Sequence, residues 1–103
     1  MKHILLSADG GISVYRVPDE VAEHLDAYCS EFCRHWLYES PDAAKYRVKR
    51  GDTVCVHYSE RDFIDYLNQY ICKEPSVWVA SLPNVFCGDE LPKEYAGLPY
   101  FNF

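Results

Sequence analysis

A chain of 103 residues, 49% hydrophobic and 25% charged, is sized for one core and composed for a globular fold. Sixteen acids against ten bases leave a net charge of −6, which speaks against general phosphate-backbone binding, a task that needs a basic footprint. No stretch approaches the roughly 20 apolar residues of a membrane span.

Met1-Lys2-His3 leads into only three apolar residues before Asp9-Gly10-Gly11 breaks the run, so no export signal is expected. Five cysteines, an odd number, then read as reduced thiols in a cytoplasmic setting.

The short apolar run His3 to Ser7 and the alternating Ile12 to Val17 flank Ala8-Asp9-Gly10-Gly11, which predicts a β-hairpin. Pro18-Asp19-Glu20 then opens a helix with acids in its first turn. Val21, Leu25, Tyr28, Cys29, Phe32 and Trp36 form its apolar stripe, with Asp19, Glu23 and Asp26 opposite. Ser40-Pro41 predicts an N-capped turn of helix to Lys45. Tyr46 to Arg50 and Thr53 to Tyr58, separated by Gly51-Asp52, predict a second hairpin. Ser59-Glu60-Arg61-Asp62 has the form of a capping box, and Phe63, Ile64, Leu67, Tyr70 and Ile71 predict the buried face of a second helix. Ser76 to Ala80, apolar on both faces, reads as a central strand.

From Leu82 to Phe103 come three Leu-Pro dipeptides and a Tyr100-Phe101-Asn102-Phe103 ending. Proline rules out a long helix or a central strand, while the aromatics make the stretch too apolar for a solvated tail. It must lie against its own core, a second copy or a partner. The predicted fold is a single α+β domain over 1–103, ordered β-β-α-β-β-α-β. Its mixed, mainly antiparallel sheet has about five strands, with two helices on one face and an irregular aromatic tail, 82–103, packed on the body.

Candidates for chemistry are sparse. Cys29 and Cys33, four apart on the first helix, share a face and could both reach one soft metal ion. No second pair completes such a set, and buried cysteine is ordinary core material, so neither metal nor cofactor is expected. Cys55 and His57 alternate on one strand face, as a thiolate–imidazole pair would. Same-face neighbours lie about 6.5–7 Å apart, and only Glu60 or Asp62 stands near enough in sequence to orient the histidine. Lys45, Arg47 and Lys49 should face solvent, with Tyr46 and Val48 turned inward, as edge-strand protection.

Four segments, Leu6 to Gly10, Val17 to Glu23, Asp62 to Asn68 and Leu91 to Phe103, together resemble a group of roughly hundred-residue proteins of gut anaerobic bacteria with no known activity. The resemblance implies a bacterial cytosol or a mobile element and no catalytic residue. The leading expectation is a non-enzymatic protein-binding module that engages another protein or a second copy of itself. Its surface would combine Asp19, Glu23 and Asp26 with the tail residues Tyr100, Phe101 and Phe103. The alternatives are an acidic inhibitor of a nucleic-acid-handling defence complex, and a thiol-dependent enzyme built on Cys55 and His57.

Overall fold

The computed structural model describes residues 1–8, 11–86 and 91–103, the side chains of 83, 84 and 86 excepted. It is an α+β fold with a four-stranded mixed sheet, ordered β5-β2-β1-β6, and a separate ribbon of β3 and β4. β1 (Lys2–Ala8) and β2 (Gly11–Val17) pair antiparallel from Lys2↔Val17 to Ala8↔Gly11. The turn predicted between them lies partly outside the described residues, as does Cys87.

The sheet is covered on both sides because its strands alternate. Ile4, Leu6, Tyr15 and Val17 face the helices, while Leu5, Ile12 and Val14 face the other way. Helices cover only the first face. The second is covered by Leu91, Tyr95, Leu98 and Tyr100 of the C-terminal segment. That segment is not irregular throughout: Tyr100–Asn102 forms β6, parallel to β1, with the Leu5 N–H donating to the Pro99 carbonyl at 2.8 Å and the Phe103 N–H to Ser7 at 2.8 Å. Alternation within β6 sends Tyr100 to one face and Phe101 to the other, where Phe101 and Phe103 pack on the helix-side core.

The first helix is built in pieces. α1 (Asp19–Glu23) ends at His24, whose φ of −127° and ψ of 37° leave the helical region, and α2 (Leu25–Ser30) resumes. A π-helical stretch, Glu31–Trp36, follows, and α3 (Leu37–Glu39) closes the run. Val21, Leu25, Cys29 and Phe32 are buried along one stripe, as their spacing requires. Ser40 then caps a 3-10 helix, Pro41–Tyr46, by accepting from the Asp42 N–H at 3.2 Å. α4 (Glu60–Tyr66) opens with the Ser59 N–H donating to Asp62 Oδ2 at 2.8 Å and continues as a second π-helical stretch, Leu67–Ile71.

Three local expectations are corrected. Among the described residues β3 (Arg47–Arg50) and β4 (Thr53–Val56) pair only with each other, as a ribbon outside the mixed sheet. Val48 is exposed and Arg47 half-buried, since a two-stranded ribbon has little core to turn towards. β5 (Val77–Phe86) is an edge strand rather than a central one. Its doubly apolar sequence faces solvent at Val77, Trp78 and Val79.

Candidate functional site: an aromatic cleft and an open strand edge

Both π-helical stretches act on the same place. An α-helical period through Cys29 and Phe32 would put Trp36 into the core. Widening the turn shifts the buried position by one residue: the Leu37 N–H bonds back to the Phe32 carbonyl, Leu37 is fully buried, and Trp36 turns to the side. The second helix repeats the device. The Cys72 N–H donates to the Leu67 carbonyl at 2.8 Å, five residues back, and Tyr70 and Ile71 turn outward, 41% and 45% exposed. The core face predicted for these two residues is therefore corrected, because it assumed an unbroken α-helical period.

Trp36 and Tyr70, displaced from the core, meet Tyr46 and Tyr66 in a cleft of about 350 Å³. Tyr66 is buried and stacks on Trp36 with centroids 4.9 Å apart and planes 24° apart. Tyr70 and Tyr46 lie 5.4 and 6.1 Å from Trp36, tilted by 47° and 53°. Asp42, Lys45, Asp65, Asn68 and Gln69 supply the polar lining. The Lys45 ammonium lies 5.0 Å above the Tyr46 ring. Behind the cleft, Phe32 joins Trp36 and Tyr66 to Phe63, Tyr58 and Phe103 at centroid distances of 5.1 to 6.1 Å. The wall is thus anchored in the core.

The second feature is the outer edge of β5. Ten residues, Val77–Phe86, carry no charge, and β2 is their sole strand neighbour among the described residues. Trp78 is 56% exposed. Asn68 sets the start of this strand: its Oδ1 accepts from the Ser76 N–H at 2.7 Å and its Nδ2 donates to the Ser76 carbonyl at 3.0 Å.

The residues singled out from sequence are dispersed. Cys29 is fully buried, and burial, reinforced by Cys33, pushes its thiol well above the ordinary value; burial also raises Cys33. Both thiols are therefore held in the neutral form in the metal-free fold. Among the described residues no group of three or more potential ligands gathers at one point. Cys55 is half-buried opposite Val48, and the exposed His57 follows β4, its N–H donating to the Tyr46 carbonyl at 2.9 Å. Of the acids proposed to orient His57, Asp62 is held by Ser59, and Glu60 acts on the buried Tyr15 phenol.

Asp19 and Glu23 reach back to β1, pairing with the N-terminal ammonium at 2.9 Å and with Lys2 at 3.1 Å. The N-terminal ammonium lowers the Asp19 carboxyl below its ordinary range. Glu23 and Asp26 border a second cleft with Tyr100 near the break at His24. Phe101 and Phe103 are half-buried against the helix-side core, on the face of β6 opposite Tyr100.

Comparison with family models, characterised proteins and solved structures finds no match to this chain. Function is therefore argued from the chain's own geometry.

Sequence reasoning missed Trp36, Tyr46, Tyr70 and Trp78 as surface-forming residues and the buried Tyr66 as the backing of Trp36. One signal was present: Leu37 beside Trp36 offers a second apolar position for the core, and the aliphatic residue took it. For Trp78 the run Val77-Trp78-Val79 carried no mark of an edge.

Proposed function

We propose that the protein is a binding module that recruits an extended segment of another polypeptide along β5. The observation that carries this reading is the open edge itself. Natural sheets blunt their edges with charge, proline or a covering element. β5 has a register shift between Trp78 and Ala80, but Val77 to Leu82 carries no charge or proline, and Val77, Trp78 and Val79 stand exposed. A partner strand would satisfy the outward backbone groups and bury Trp78, a residue type that dominates interface energetics.

The partner fitted best is a short apolar strand flanked by basic residues. Neutral β5 imposes no local repulsion, while a net charge of −6 attracts a basic flank and opposes a second copy. No described helix is long and apolar enough to cross a membrane. A cytoplasmic, bacterial setting belongs to the same proposal.

The experiment compares the natural chain with a Val77→Lys/Trp78→Lys variant in affinity capture from the source cell, with amide exchange on the captured complex. Expected is a partner retained by the natural chain only, with slowed exchange along β5. A partner retained equally by both proteins refutes the assignment. A stable dimer of the natural chain alone, abolished by the two lysines, would replace the foreign partner by a second copy.

A further inference from the structure

We propose that the aromatic cleft is a binding site for an alkylated ammonium group, carried by a small molecule or by a side chain. This inference rests on the cleft alone and is independent of β5. Tyr46 and Tyr70 tilt by 53° and 47° against Trp36, with Tyr66 stacked behind it at 4.9 Å, so the rings form a concave wall rather than a flat platform. Ring faces carry the negative end of the aromatic quadrupole, and a concave wall brings several to bear on one point. Asp42 and Asp65 also line the cleft, from the 3-10 helix and from α4, and add full negative charge. The protein already shows the preference of this surface, since the Lys45 ammonium lies 5.0 Å above Tyr46.

The chemistry also selects among ligands. An anion would meet two carboxylates. A neutral planar ligand would use the rings and leave the carboxylates without a counterpart. A primary ammonium is strongly hydrated and surrenders its water at a cost, which suits Lys45 to the wet rim. A methylated cation sheds water more easily and offers methyl groups to the rings, the combination that aromatic cages recognise. A cleft of about 350 Å³ admits such a head group with a short stem.

The test follows Trp36 fluorescence in a Trp78→Phe background, where Trp36 is the remaining indole. The probes are choline and its uncharged carbon isostere, 3,3-dimethyl-1-butanol. Saturable quenching by choline, with the isostere at least about tenfold weaker, is the expected result. Asp65→Asn should weaken choline several-fold, and Lys45→Met should tighten it by removing the resident cation. Both positions are exposed, so neither change threatens the fold. A peptide bearing trimethyllysine separates the two sources. Tighter binding than choline places the group on a polypeptide, and equal or weaker binding assigns a free small molecule. Equal binding of choline and isostere overturns the proposal. So does the absence of response to choline and peptide alike.

Discussion

The side chain of Asn68 satisfies both backbone groups of Ser76, accepting from its N–H at 2.7 Å and donating to its carbonyl at 3.0 Å. Ser76 is buried and immediately precedes β5, so one amide links the end of α4 to the start of the edge strand. Replacing Asn68 by alanine should cost about 1–3 kcal/mol, because a buried N–H and carbonyl lose their partners together. The thermal midpoint should fall by about 5–15 °C on that basis, and amide exchange should accelerate at residues 76–78 first. Unchanged exchange there would refute the link.

Arg47 closes the opposite end of the first helix. Its guanidinium donates to the Tyr38 carbonyl at 2.6 Å and to the Ser40 carbonyl at 2.8 Å, satisfying acceptors that a helix terminus leaves free. Arg47→Met keeps the apolar stem and removes both bonds, so it should lose about 1–2 kcal/mol in denaturant unfolding. Lys49→Met, on the same strand but exposed, should change stability by less than about 0.5 kcal/mol. Equal effects would show that Arg47 acts by charge alone.

Phe103 meets Phe32, Tyr58 and Phe63 at 6.1, 5.7 and 5.5 Å. Phe103→Ala should cost about 2–4 kcal/mol, about 1 kcal/mol below the range for a fully buried aromatic because the ring is half-buried. Deleting residues 95–103 goes further. It removes β6 from one edge and strips Tyr95, Leu98 and Tyr100 from Leu5, Ile12 and Val14 on the other face. Calorimetry of the truncated chain should show no cooperative transition, and a normal melt would mean the segment is dispensable.

The buried thiol of Cys29 and the Tyr15 phenol, pushed up to about 12 by burial and by Glu60, lead a group of raised thiols and phenols, Cys33, Cys72, Tyr28, Tyr58 and Tyr66 among them, that sets the alkaline limit. These side chains stay protonated in the fold at pH values where the unfolded chain ionises. The unfolded state thus binds fewer protons, and stability falls as pH rises. The decline should begin near the ordinary thiol value of 9.0 and steepen past the tyrosine value of 10.0. Cys29→Ala should lower stability at neutral pH and make the first part of that slope shallower. An equal slope for Cys29→Ala and the natural chain from pH 9 to 10 would refute the role of Cys29.

The local elements were legible because they rest on local physics. Alternation in Ile12 to Val17, the cap at Ser40-Pro41, the Ser59–Asp62 box and the stripe Val21, Leu25, Cys29, Phe32 each act within a few residues. Gly51, at φ 62°, marks the second hairpin turn for the same reason. What the sequence left open depends on where elements land. Nothing in Val77-Trp78-Val79 states whether a strand lies on its far side, since edge and centre differ only in neighbours. The first π-helical turn puts Leu37 in the core in place of Trp36, and the second, after the buried Leu67, turns Tyr70 out of the stripe that α-helical spacing assigns it. The tail's fate was decided by the uncovered side of the sheet. Helices protect Ile4, Leu6, Tyr15 and Val17, so Leu5, Ile12 and Val14 leave water under Leu82 and Val85 of β5 and the aromatic C-terminal segment folded over them.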